Sequence, residues 1–354
     1  MFIIFFMMAV GYYFEFARNL DLYQDKGQFF EYALNWRDHF RYVAIADNFG
    51  YYDYQLLAVD NNFGIAALYY YISDFRFDQT ISDYSEVSLY VNSITILASL
   101  VVYIKICDFY DLGLNGKLTF FVNFPFLYFM QLINKDAISV FALLLIVYLG
   151  IKQKYFWIFV LAIVFALIRI QFLVFGIGYL ALLMCKTRKR AAFISFLIYT
   201  VTSLFAGYVA GIQVFVSSET LGDGFSGFVA DFSRRYYVGY FLFNPIRILQ
   251  MLYDFSLSFS IFTETGGIDT ARLLRFPQLL AVIYFAPVLI SAFSRFFASV
   301  LRGTSPVLFA VPAFLLAWLM NPTINARYFT LIVPVLILAA LIEKRRPPAR
   351  HGRT

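Results

Sequence analysis

Five short stretches of the sequence carry side chains able to bind an anion or move a proton. Asp25 stands in QDKGQFFEYA, and Lys135 and Asp136 follow Asn134 at the head of NKDAISVFALLL. Arg169 and Gln171 interrupt the apolar run ALIRIQFLVF, Arg234 and Arg235 form a pair, and Arg327 with Tyr328 closes NPTINARY. A guanidinium is permanently charged, and its planar fork grips two phosphate oxygens at once. A carboxylate within hydrogen-bond reach of a hydroxyl can take its proton. Asp25 and Asp136 are thus the candidate proton acceptors. Lys135, Arg169, Gln171, Arg234, Arg235, Arg327 and Tyr328 are the candidate substrate contacts.

Arg169 is the most telling of them, because a charge inside a membrane segment costs about 2.5–3.5 kcal/mol on insertion scales and so faces a polar cavity or a partner. An ordinary structural role stands beside each functional one. Asp25 fits a solvated loop acid, and Lys135 with Asp136 fits a local ion pair at a helix start, where the macrodipole favours an acid. Arg169 fits an interhelical ion pair, Arg327 fits snorkelling to headgroups, and Arg234 and Arg235 fit contacts to lipid phosphate.

Other chemistries lack their residues. There is no phosphate-binding glycine loop and no dinucleotide fingerprint. The two histidines, His39 and His351, fall in a loop and in the tail, and Cys107 and Cys185 end apolar segments without metal-ligand spacing. No protein-bound metal site and no organic cofactor are expected, and the sequence leaves open whether a divalent ion assists.

The elements that must carry these residues are transmembrane helices. Of 354 residues 61% are hydrophobic and 14% charged, where a soluble domain carries about 25% charged. Apolar windows near 2–17, 87–107, 118–133, 137–151, 191–216, 277–294, 305–320 and 327–342 approach or reach the roughly 17–25 residues that cross a bilayer core. The apolar opening of the chain has no basic leader and no clear cleavage site, and so reads as a retained helix.

Residues 155–184 would make one helix of about 45 Å, too long for a simple span. The basic loops KQK at 152–154 and KTRKR at 186–190 would then face opposite sides, against the tendency of short basic loops to share the cytoplasm. Two half-spans with Arg169 near the outer turn keep the two loops together. The chain is therefore expected to be an all-α bundle of about ten spans, a single transmembrane domain over 1–354 with both termini cytoplasmic. The threading puts 15 of the 28 basic residues inside, but only 3 of the 22 acidic ones. The net charge of +6 is thus accounted for by membrane topology, and no nucleic-acid partner is expected.

Two long outer regions, 18–86 and 217–276, complete the plan. The first holds an apolar patch at 63–73, too short to span and so read as interfacial or re-entrant. The second holds an aromatic run at 236–262 that fits either the outer interface or a further crossing. Threaded this way, all the candidate residues collect on the outer side, opposite the basic loops.

In that order the features resemble membrane glycosyltransferases of the GT-C type and the related Wzy- or EpsG-like polysaccharide polymerases. The matching features are the acid in the first outer loop (QDKGQFFEYA), the Lys/Asp pair opening a middle helix (INKDAISVFALLL), the internal arginine (ALIRIQFLVF) and the Arg-Tyr opening of a late helix (NARYFTLIVP). The pattern extends over most of the chain, although each motif is short. There is neither a large soluble C-terminal domain nor a paired acidic motif in the first loop, which turns the resemblance toward the polymerase branch.

The resemblance implies transfer of a sugar from a polyprenyl phosphate or diphosphate carrier at the outer face of the bacterial cytoplasmic membrane. It also implies a role in envelope polysaccharide assembly, with lipid and other assembly proteins as partners. Arginines would then hold the carrier phosphate and Asp25 would act as base. A transporter or flippase of lipid-linked saccharide is the rival, since the same cavity would serve it without chemistry.

Overall fold

The structure, a computed structural model, describes residues 3, 7, 10, 42–46, 63–74, 81–122, 133–185, 187–212, 225–257, 283–291, 305–321 and 326–345. Most of the expected first span and most of the span at 118–133 lie outside them, as does Asp25. The described residues are almost all helical and contain no strand.

The helices are α1 (Phe63–Asp74), α2 (Ile81–Phe109), α3 (Gly113–Leu118), α4 (Asp136–Ile151), α5 (Tyr155–Ala166) and α6 (Gln171–Leu183). After them come α7 (Arg188–Ile212), α8 (Phe225–Tyr236), α9 (Gly239–Leu257), α10 (Pro306–Trp318) and α11 (Ala326–Arg345), with a further helical segment over 283–291. The window at 118–133 opens as a 3₁₀ turn, Thr119–Val122, rather than as α-helix. There the Thr119 hydroxyl donates to the Gly116 carbonyl at 2.6 Å and accepts from Tyr103 Oη at 2.8 Å, which tightens the chain.

Local chemistry sets several helix ends. Asn134 Oδ1 accepts from the backbone N–H of Asp136 (2.9 Å) and of Ala137 (3.3 Å), satisfying two donors that the first turn of α4 leaves without carbonyls. Ser305 caps α10 through the Leu308 N–H at 3.2 Å, with Pro306 preset for the first helical position. The break expected inside 155–184 is present: α5 stops at Ala166, i→i+3 bonds such as Ile168 N–H to Phe165 O (3.0 Å) carry the turn, and α6 starts at Gln171. Gly176 lets α6 close on Ala162 of α5, where any Cβ would collide. The result is a tight hairpin with Arg169 at its tip.

Helix α4 is the hub, packed against α2, α5, α6, α10 and α11. Twelve of its sixteen residues are buried, and the facing stretch of α11 from Leu331 to Ile342 is almost wholly so. Helix α1 packs on α2, and its first turn meets the α5–α6 turn so closely that a side chain at Gly64 would strike the Leu167 carbonyl.

Antiparallel packing sorts the chain into two ends. At one, Lys152 Nζ lies 4.7 Å from the centre of the Phe109 ring, and Arg345 donates to the Tyr110 carbonyl at 3.4 Å. Lys154 is exposed beside them. The other end gathers the start of α4, the α5–α6 turn, the residues after α10 and the start of α11. At 1.5 Å per residue the sixteen residues of α4 separate the two by about 24 Å.

Two helical stretches, Glu86–Phe109 and Lys189–Tyr208, are long and apolar enough to cross a membrane, and α4, α5, α6 and α10 are shorter apolar helices. A helix in the core of a soluble protein would be mostly buried, yet only 22% of the Lys189–Tyr208 window is, and it exposes Phe193, Phe196, Leu197, Val201 and Phe205. Helix α5 likewise exposes Phe156, Trp157, Phe159 and Ile163.

Candidate functional site

The polar end is built around an ion pair. Arg169 Nη2 lies 2.6 Å from Asp136 Oδ1, with the arginine side chain 5% exposed and the carboxylate fully buried. Asp136 is in place because it opens α4, and Arg169 because the hairpin turns there. Two charges removed from water each lose several kcal/mol of hydration, which their attraction offsets only with good geometry. Here the geometry is incomplete: Arg169 Nε is buried and has no hydrogen-bond acceptor among the described residues.

The guanidinium also lies 5.5 Å from the centre of the Tyr328 ring in the first turn of α11. Lys135, 5% exposed, holds its ammonium 5.7 Å from the Tyr42 ring. Gln171 at the head of α6, 3% exposed, donates through Nε2 to Asn321 Oδ1 at 2.5 Å.

From Asn321 the network continues to a second buried arginine. Arg247 of α9, 6% exposed, donates through Nη2 to the Asn321 carbonyl at 3.0 Å and through Nη1 to Asn244 Oδ1 at 2.5 Å. Its guanidinium lies 4.3 Å from the Tyr240 ring, and Asn244 Nδ2 donates to Ser203 Oγ of α7 at 2.8 Å. An unbroken chain of polar contacts therefore joins α6, the end of α10, α9 and α7.

Of the residues singled out in the sequence, Lys135, Asp136, Arg169, Gln171 and Tyr328 come together at this end. Arg327 immediately precedes Tyr328, with its side chain outside the described residues, as is that of Arg234. Arg235 is exposed and stacks on its neighbour Tyr236, 5.5 Å from the ring centre. Sequence reasoning missed Arg247, Asn244 and Ser203. The signal was present in FNPIRILQ, where Asn244 and Arg247 are three apart and so share a helix face.

The electrostatics favour an anion. Among the described residues at this end, three buried cations, Lys135, Arg169 and Arg247, accompany one buried acid, Asp136. The N-termini of α4, α6 and α11 also meet here, and a helix start carries a partial positive charge. The Nε of Arg169 supplies a buried donor for an acceptor oxygen. Asp136 is paired with Arg169 and so fixes the direction of the guanidinium. Among the described residues no cluster of histidine, cysteine and carboxylate has the makings of a metal site. Compared with family models, curated proteins and solved structures, the chain matches none.

Proposed function

We propose that this chain is a multi-pass membrane glycosyltransferase or polysaccharide polymerase that takes its sugar from a polyprenyl phosphate or diphosphate carrier. The observation that carries the reading is Arg169: a buried guanidinium with a donor to spare, at the tip of a hairpin of short apolar helices, among three helix N-termini. Helices α5 and α6 are about 18 and 20 Å long, less than a hydrocarbon core of about 30 Å. If their other ends lie at the basic surface, the tip stops below the opposite headgroups. A carrier whose tail stays in lipid could bring its phosphate there from the side, and the exposed apolar faces of α5 and α7 suit such surroundings.

In this reading Arg169 neutralises the charge that develops on the departing phosphate, a contribution of several kcal/mol when the donor is preorganised. Asp25 remains the proposed base, since Asp136 is occupied. Arg327, next to Tyr328, is the proposed second contact to the phosphate. The basic end faces the cytoplasm with both termini, and the polar end faces outward at the bacterial cytoplasmic membrane.

The test is chain extension by the purified protein in nanodiscs with a pool of lipid-linked oligosaccharide. Extension by wild type, its loss in Asp25→Asn and partial recovery in Arg169→Lys relative to Arg169→Ala are expected. Translocation of the lipid-linked saccharide without extension would put a transporter in place of the enzyme. For sidedness, Lys154→Cys and Arg190→Cys in a background lacking Cys107 and Cys185 should resist an impermeant maleimide on intact cells. Labelling from outside would overturn the orientation.

A further inference from the structure

We infer that Asn321 is a substrate-contacting residue of the anion site and that Arg247 is the positioning residue that holds it there. This deepens the reading above and rests on it for the nature of the ligand, a phosphoryl group. Asn321 follows α10, and Pro322 after it favours extended backbone at the asparagine and cannot continue the helix. A residue in such a turn would ordinarily be loosely held.

Asn321 is instead fixed at three points. Its N–H donates to the Trp318 carbonyl at 3.0 Å, its carbonyl accepts from Arg247 Nη2 at 3.0 Å, and its side-chain Oδ1 accepts from Gln171 Nε2 at 2.5 Å. With Oδ1 engaged, the direction of the side-chain NH₂ is set. That NH₂ has no acceptor among the described residues, and Asn321 is only half-buried, so its donors are available to a ligand. Gln171, which holds the amide, lies two residues from Arg169, which carries the other spare donor. Both spare donors thus belong to the polar end, and Asn321 Nδ2 and Arg169 Nε are assigned to one anion.

Arg247 is buried under Tyr240 and tied to Asn244, which is itself tied to Ser203. Its Nη2 is spent on a backbone carbonyl and its Nη1 on an amide. It acts on the ligand through Asn321, which it ties to α9 beside the Gln171 contact to α6.

The experiment is equilibrium binding of farnesyl phosphate and of farnesol to the full chain in nanodiscs. Wild type should bind the phosphate at least about tenfold more tightly than the alcohol, as charge-assisted hydrogen bonds predict. Asn321→Ala and Arg247→Gln should each lower phosphate affinity about tenfold with farnesol affinity unchanged, the latter reporting an intact fold. Arg247→Lys, which keeps a donor for the carbonyl, should recover most of the loss.

The double variant decides the division of roles. If Arg247 acts only through Asn321, adding Arg247→Gln to Asn321→Ala changes nothing further. Losses that multiply to about a hundredfold would place Arg247 on the ligand itself and overturn its positioning role. Wild-type affinity in Asn321→Ala would overturn the contact. Equal affinity of wild type for phosphate and alcohol would remove both this inference and the function proposed above. Binding as expected without any sugar transfer would remove the transfer reading alone.

Discussion

The two ends of the bundle use the same kinds of side chain in opposite ways. At the basic end Lys152, Lys154 and Arg345 are exposed, and the Lys117–Asp108 pair, at 2.6 Å, leaves 31% and 56% of its two side chains open. At the polar end Lys135, Asp136, Arg169 and Arg247 are all buried. The Arg169–Asp136 pair has the same 2.6 Å separation as Lys117–Asp108. Equal distances therefore hide unequal energetics. The exposed pair exchanges one set of favourable contacts for another with water, whereas the buried pair has given up its hydration and depends on its partners. A site that binds an anion by desolvation can be built only at the second kind of end.

The largest effect expected is at the buried pair. Asp136→Ala leaves the Arg169 guanidinium buried without its carboxylate, which costs roughly 3–5 kcal/mol. Thermal unfolding in detergent should show a large fall in Tm. Asp136→Leu combined with Arg169→Met should recover most of that stability, because two apolar groups of similar size leave no charge behind. The same double variant should abolish binding of farnesyl phosphate. If Asp136→Ala were as stable as wild type, the pair would be solvated after all and the contrast between the ends would fail.

A smaller effect is expected midway between the ends, where the α5–α6 hairpin carries Arg169 to its place. Gly176→Leu forces a side chain into Ala162, and overpacking of this kind costs about 1–3 kcal/mol. If the hairpin positions the site, phosphate binding falls along with Tm. A loss of Tm with unchanged binding would mean that the tip is held by its own polar contacts.

The break at Arg169 was legible because two independent observations pointed to it: a run too long for one span, and basic loops that must share a side. No glycine or proline marks it. Its partner was not legible. Asp136 reads locally as the mate of Lys135, whereas the structure pairs it with an arginine 33 residues away, which depends on how α4 packs on the hairpin. The α-helical nature of 63–73 and its lack of spanning length could be read from its apolar run, but not its contact with the tip, which rests on Gly64. Arg247 was hidden for a different reason: mean hydropathy over 236–262 fits an interfacial stretch and a further crossing equally, while the polar face at Asn244 and Arg247 shows only when residues are sorted by helical phase. Residue type and spacing announced the arginines, then, and tertiary packing chose their partners.

The smallest effect, and the one that sharpens the contrast most, belongs to Lys117 and Asp108. Exposed ion pairs contribute about 0–1 kcal/mol, since Coulomb attraction in high dielectric barely exceeds the entropy of fixing two mobile side chains. A double-mutant cycle of Lys117→Ala and Asp108→Ala should therefore give a coupling of about 0.5 kcal/mol or less, shrinking further as salt is raised past the point where the screening length falls below about 10 Å. Farnesyl phosphate binding should be unchanged in all three variants, because α4 keeps this pair about 24 Å from Arg169. A coupling above about 2 kcal/mol, insensitive to salt, would mean that the Lys117–Asp108 pair is as desolvated as the Asp136 pair. Desolvation of its ion pair would then no longer set the polar end apart from the basic one.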